Sequence, residues 1–348
     1  MAKINLTQKK HVAIDIGTNK TKIHIEGLGM VFNQSTLMAL DYKSKKVIAL
    51  GDDAKKFVGK LSGTLQLKYP VRRGIITDLS VLKLFLKSIL ANYSNDIKDS
   101  VVTVACPTSL TQLERQSIVK AIKELGVYYV NTEDDVKLAL IGAGADAYET
   151  TAFLCLDLGA GKSTAAIISS GETIQSRNSK VSGNSIDMDI AKFLKSKSQL
   201  MIGDITAEQI KNSIASLIKA KTPLKTTAYG YDLTTGMPKD FELSDEDISK
   251  IILSGFGNLT TLITNVLEGA PSEIAGDVIR NGLYVTGGVA KISGVKAFFE
   301  DFFEIPVILS KNCATATIDG AVAHKTRTFQ KIELENDKYG STFMFKSA

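Results

Sequence analysis

Residues 153–168 read FLCLDLGAGKSTAAII, and the glycine-rich centre of this stretch decides the fold. Gly161-Lys162-Ser163 resembles the end of a G-x-x-x-x-G-K-[ST] phosphate loop, but that pattern needs a glycine five residues before Gly161, and the position holds Leu156. Strand-like residues flank the turn on both sides, so it joins two strands of a hairpin and does not lead a strand into a helix. A Walker-type loop is excluded on that ground.

The same arrangement occurs earlier. HVAIDIGTNKTKIHIEGLGMVF, residues 11–32, is also strand, Asp-x-Gly turn, strand, strand, about 140 residues before the second copy. The chain therefore carries a degenerate internal duplication. With 348 residues, 44% of them hydrophobic and 23% charged, there is enough apolar material for two α/β lobes. Between the hairpins, residues 40–74 are polar and short-period, which suggests a small inserted subdomain. LSVLKLFLKSILANY then has helical periodicity, SVVTVACP reads as a buried strand, and TQLERQSIVKAIKELGV is an amphipathic helix opened by a Thr111/Glu114 capping box. After the second hairpin come a long helical region (185–220), helices to about Val266, the strand GLYVTGG and a last helix near TATIDGAVAH.

Composition narrows the function classes. The net charge of +5 comes from lysines spread along the chain, the pattern of a solvated surface and not of a nucleic-acid footprint. Cys106, Cys155 and Cys313 are far apart and read as buried thiols of a reducing cytoplasm, with no zinc or disulfide framework. His11, His24 and His324 share no metal spacing and are expected on strand or helix surfaces. The start, MAKINLTQKK, has no apolar core, and no stretch reaches the length of a membrane span, so a cytosolic protein, at most peripheral to a membrane, is expected.

Two Asp-x-Gly hairpins, one per lobe, suit a cleft that holds a nucleoside triphosphate and its metal. Small residues let backbone N–H groups approach phosphates, and an Asp at each strand end can hold hydrated Mg²⁺. The aspartates are Asp15 and Asp157; the turns are Gly17-Thr18-Asn19 and Gly159-Ala160-Gly161. A third piece, Thr286-Gly287-Gly288, ends an apolar strand before a helix, where a glycine pair lets a base or ribose lie against the backbone. Hairpin, hairpin, then T-G-G is the order found in the superfamily of actin, sugar kinases and the seventy-kilodalton heat-shock chaperones. Within it, the chain resembles the MreB family of bacterial actins from about residue 10 to 325, through IDIGTNKT, GDDAKKFVGK, RRGIITD, VACPTSLTQLERQSIVKAIKELGV, LALIGAGAD, MIGDITAEQIKNSI and YVTGGVAKISG.

The resemblance implies an actin-like α/β fold. Lobe I spans 1–147 plus 320–348 with a small subdomain at about 33–75, and lobe II spans 148–319 with a helical subdomain at about 182–250; each lobe carries a mixed five-stranded sheet flanked by helices, with the nucleotide cleft between them. It implies ATP or ADP with Mg²⁺ as cofactors, Asp15 and Asp157 on the metal side through water, and Gly17, Thr18, Gly159 and Gly161 as phosphate-loop donors, with Asn19 and Ala160 in the same loops. Glu208 and Lys211 fall where the family contacts ribose and base, opposite Gly287 and Gly288; the plain alternative is an exposed i,i+3 salt pair. Lys22 falls where actin has a phosphate-contacting lysine and MreB proteins commonly have an apolar residue. The partner implied is the chain itself, in filaments serving cell shape or cell-body mechanics, with other actin-like proteins and the inner membrane surface as further partners. For the membrane, the first-lobe loop offers only Tyr93 and Ile97, and the C-terminal STFMFKSA offers Phe343, Met344 and Phe345 beside Lys346.

The departures from the family bear on catalysis. MreB proteins typically read Glu-Glu-Pro before the IGAG helix, the second glutamate positioning the attacking water; here the text is Asp134-Asp135-Val136. Their second phosphate loop is usually Gly-Gly-Gly-Thr-Thr, and the threonine that helps orient the water is Lys162 here. The usual third glycine after T-G-G is Val289. A shortened carboxylate and an added ammonium facing one spot are expected to pair, which leaves a poor base and slow or absent hydrolysis. Two other roles stay open for Lys162: contact with the γ-phosphate in a working filament ATPase, or exposure to solvent. A small-molecule kinase is the remaining alternative, weakened because no inserted segment is large enough to build a sugar pocket.

Overall fold

The computed structural model describes the backbone of residues 9–61, 63–219 and 222–344, with side chains through residue 334. The N-terminal eight residues and Phe345 with Lys346 lie outside the described residues, as do the side chains of Phe343 and Met344.

Two five-stranded mixed sheets repeat one topology. In the first, the meander His11–Ile16, Lys20–Ile25, Gly29–Ser35 is extended from its first strand by Val101–Cys106 and then Tyr129–Asp134, both parallel to it. In the second, the meander Phe153–Leu158, Ser163–Ser169, Glu172–Ser179 is extended in the same way by Leu283–Thr286 and Val307–Leu309. Parallel neighbours need crossovers, and the helices Gln112–Lys123 and Val295–Phe303 supply the outer one in each lobe. Thr111 caps the former through the reciprocal Glu114 box.

In the central strands both faces are buried. Val12 and Ile14 pack with Val102, Val104 and the helix residues Leu82, Phe85 and Leu86 on one side, while Ala13 and Ala105 face Leu138, Ile318 and Ala321 on the other. The helix Asp135–Gly142 is apolar almost all round because it lies between the two sheets: Leu138 meets the first, and Val136 and Leu140 meet Phe153, Cys155 and Ala166 of the second. It crosses Ala316–Ala323 at backbone contact. A Cβ on Gly142 would lie 1.8 Å from the Ala316 carbonyl, and one on Gly320 equally close to that of Leu138. This crossing forms the joint of the two lobes, with Asp135 at its cleft end.

A three-stranded sheet, Met38–Asp41, Val47–Leu50 and Leu65–Lys68, is inserted in the first lobe. The insertion expected to be helical in the second lobe is only partly so. Helices Gly183–Ser198 and Asp204–Ile214 are followed by a hairpin, Lys225–Asp232 with Pro238–Ser244, joined by Leu200–Met201 into a sheet. The three cysteines are buried and unpaired, as the sequence suggests. Two histidines are not on the surface. His11 and His324 are buried because hydroxyls meet them there: His11 Nε2 shares a 2.9 Å hydrogen bond with Thr103, and His324 shares bonds with Tyr148 and Thr328.

Candidate functional site

Every residue named above as metal-side, phosphate-side, ribose-side or catalytic lines one cleft of about 680 Å³ between the lobes. That volume suits a nucleotide-sized ligand. The two hairpin turns are built alike: Gly17 N–H donates to Lys20 O at 3.1 Å, and Gly159 N–H to Lys162 O at 3.0 Å. The turns also touch. A Cβ on Gly161 would lie 2.2 Å from Thr18 Oγ1, which itself accepts from Gly74 N–H at 2.8 Å. Arg73 and Gly74, with φ of 52° and 75°, form the two-residue turn of a small hairpin that inserts between the loops. The Lys162 stem lies across Gly74. Three loops from two lobes thus meet at one point.

The charges are arranged around that point. Lys22 Nζ donates to Asp15 Oδ2 at 2.7 Å, both largely shielded from solvent. Burial alone would lower the Lys22 pKa, but the Asp15 charge and hydrogen bond outweigh it and the ammonium is held above its ordinary value. Lys162 Nζ lies 2.9 Å from Asp135 Oδ2, again with little exposure on either side. The contact is off the hydrogen-bond direction, so it is an ion pair whose N–H donors remain unused. Solvent exposure of Lys162 is thereby ruled out. Among the described residues Asp157 receives a single 3.0 Å hydrogen bond, from Thr286. Burial, then the Asp135 charge, push its pKa up to about 6 against the opposing pull of Lys162. No three carboxylate, imidazole or thiol groups form a direct metal cage among the described residues. The undercompensated Asp157 nevertheless favours a cation beside it, which fits a hydrated divalent ion held from Asp15 and Asp157.

Asp135 is set in place by its neighbour. Asp134 accepts from Arg115 Nη2 at 2.5 Å and from Thr173 Oγ1 at 2.9 Å, which ties the helix start to both lobes. Glu208 and Lys211 do not pair with each other. Lys211 is buried against Asp187 at 2.8 Å and the Gly183 carbonyl at 3.0 Å, and Glu208 reaches across the cleft to Asn19 and Lys55. Gly287, at φ 87°, packs so tightly on Leu158 that a Cβ would lie 2.3 Å from its carbonyl oxygen, while Gly288 faces open space. Lys20 also lines the cleft but is exposed to solvent. Of the two membrane-loop residues, Ile97 is buried in the first core and is unavailable to a bilayer.

Asp187, Gly74 and Lys55 also line or brace the cleft, unnamed from the sequence, and Thr286 supplies the hydroxyl that meets Asp157. Thr286 carried a signal, as the residue before the glycine pair, and Gly74 another, in a two-residue turn. Lys55 carried none.

Two matched hairpins across a cleft, joined by a crossing of two helices, define an actin-like two-lobed protein. The sequence assigns it further: a profile of the MreB/Mbl protein family matches residues 9–333, and the chain belongs to that family. It is 29% identical over 305 residues to the cell shape-determining protein Mbl of Bacillus subtilis (strain 168), covering 87% of this chain and 92% of that protein. It is 28% identical over 318 residues to the cell shape-determining protein MreB of Escherichia coli (strain K12), covering 89% and 91%. Among solved structures, MreB5 of Spiroplasma citri bound to AMPPNP superposes with a TM-score of 0.90 at 34% identity, over 94% of this chain and 99% of that one. The MamK double helical filament superposes at 0.76 with 15% identity, over 91% of this chain and 99% of that one, a likeness of fold alone.

Proposed function

We propose that this chain is an actin-like cytoskeletal protein of the cytoplasm. It binds ATP with Mg²⁺ in the interlobe cleft, assembles with further copies of itself into filaments serving cell shape or cell-body mechanics, and hydrolyses ATP slowly or not at all. Relatives named for determining cell shape, and one solved with AMPPNP and with ADP, support the reading. The two hairpin turns offer backbone N–H groups to the phosphates, and Lys22 adds a cation beside them. Asp15 and Asp157 would hold the metal, whose charge neutralises the phosphate oxygens when bound.

The observation that carries the slow hydrolysis is the 2.9 Å ion pair between Lys162 and Asp135. A base must reach the attacking water and be free to take its proton, and an aspartate one methylene short of glutamate and held by an ammonium does neither well. The test is phosphate release from ATP under polymerising conditions, with nucleotide occupancy and pelleting followed in parallel. Asp135→Glu with Lys162→Thr should raise release by about 100-fold over a nearly silent native chain. Native turnover equal to the variant's would support the second reading, a working filament ATPase in which the unaligned Lys162 donors meet the γ-phosphate.

A further inference from the structure

Glu208 sits on the lobe II helix Asp204–Ile214, yet both of its carboxylate oxygens are held from lobe I. Oε1 accepts from Asn19 Nδ2 at 2.9 Å and Oε2 from Lys55 Nζ at 2.6 Å, partners 189 and 153 positions away in the chain. Asn19 belongs to the first phosphate loop, and Lys55 ends the short helix Gly51–Lys55 of the inserted subdomain. One side chain therefore joins three parts of the molecule across the mouth of the cleft.

The Lys55 end is anchored. Asp52, one turn earlier, accepts from Ser35 N–H at 3.0 Å and Ser35 Oγ at 2.6 Å. Gly51, at φ 63°, lies so close to Gln34 that a Cβ would be 2.2 Å from its side-chain oxygen. The short helix is thus stitched to the strand Gly29–Ser35, and Lys55 reaches Glu208 from a fixed base. Both partners are about a quarter to a third exposed, so the pair is screened far less than a surface ion pair. Burial would raise the Glu208 pKa, but the hydrogen bonds from Lys55 and Asn19 outweigh it and keep the carboxylate ionised.

An ionised carboxylate offers about four lone-pair sites, and the clasp uses two. Glu208 lines the interlobe cleft, so the two left over are available to a ligand there, and vicinal hydroxyls such as those of a ribose are matching donors. We propose that Lys55 is a positioning residue for recognition of a ribonucleotide: with Asn19 it fixes Glu208, so that capture of the ribose and closure of the two lobes are one event. The proposal rests on the nucleotide reading given above. Without Lys55 the Glu208 carboxylate is tethered from one side only, the inserted subdomain loses its hold on lobe II, and both ribose discrimination and nucleotide retention fall.

The test compares binding and release of radiolabelled ATP and 2′-deoxyATP by the full chain and by Lys55→Ala, Lys55→Arg and Glu208→Gln. Lys55→Ala should release ATP about tenfold faster and lose most of its preference for ATP over 2′-deoxyATP, with Lys55→Arg recovering most of both. Glu208→Gln should lose the preference as well. A merely structural role for Lys55 would lower the melting temperature and weaken both nucleotides equally, which overturns the proposal, as does a Lys55→Ala chain that behaves like the native one. If the native chain binds neither nucleotide, the nucleotide reading itself falls; if it binds and discriminates them and Lys55→Ala does so equally well, the clasp alone is refuted.

Discussion

Gly17 and Gly159 close their turns on Lys20 O and Lys162 O at nearly the same distance, and Asp15 and Asp157 stand two residues before them on the matching strands. Around this common backbone the charges differ. Asp15 is opposed across its hairpin by Lys22, which binds it directly, and beside it on the parallel strand is Ala105. Asp157 is opposed by Thr164, already committed to Asn178, and its partner comes from the parallel strand instead, as the Thr286 hydroxyl. The turn lysines diverge too: Lys20 is exposed, while Lys162 lies against Asp135. A duplicated backbone fixes where carboxylates sit; which neighbour carries the compensating proton donor fixes whether they stay charged. The first hairpin is neutralised within itself, and the second gives its cation to Asp135 of the helix between the lobes.

The largest expected difference lies at the hairpins' first residues, four before each aspartate. His11 opens one strand and Phe153 the other, both buried. Burial, reinforced by the charges of Lys325 and the other two histidines and opposed by Glu26, lowers the His11 pKa to about 4. The unfolded chain takes up this proton near the ordinary histidine value and the folded chain only near 4, so stability is lost as pH falls through that window. The loss is on the order of 3 kcal/mol once the window has been crossed. His11→Phe makes the first strand like the second and should flatten denaturant midpoints between pH 6.5 and pH 4; an unchanged acid limb would place the proton elsewhere. Next in size is the contact between the turns. Gly161→Ala puts a methyl group on Thr18 and Gly74 and should weaken ATP binding by about 30-fold and lower the melting temperature as well. Retained affinity would mean that the loops part at no cost.

Both hairpins and the glycine pair were legible because their chemistry is local: the residues that approach phosphates must be small and lie at the turn itself. The Lys162–Asp135 pair was legible for another reason, since two departures from one family fell on the same water. What the sequence hid depends on partners far along the chain. His11 meets Thr103 and Thr328 in a hydroxyl network, and Glu208 meets Lys55; no spacing rule relates such residues. The hairpin Lys225–Ser244 was hidden because its two strands bury little beyond Ala228 and Leu243 and leave Tyr229 and Tyr231 exposed, so the alternation of apolar residues is faint.

The smallest predicted effect isolates the charge difference between the two aspartates. Asp15 is paired with Lys22, whereas burial and the Asp135 charge hold the Asp157 pKa near 6. A cation beside Asp157 must therefore compete with a proton once the pH falls below that value. At pH 7 the carboxylate is ionised and the metal meets no competitor, and at pH 5 the metal-free site is mostly protonated. The Mg²⁺ requirement for nucleotide retention should rise by about tenfold between these values. Asp157→Asn should abolish that pH dependence, because the competing proton has nowhere to bind, while Asp15→Asn should leave its slope in place. A Mg²⁺ titration that shifts equally in the Asp157→Asn chain would show that the two hairpins are electrostatically alike after all, with the acid response arising from the nucleotide's own phosphates.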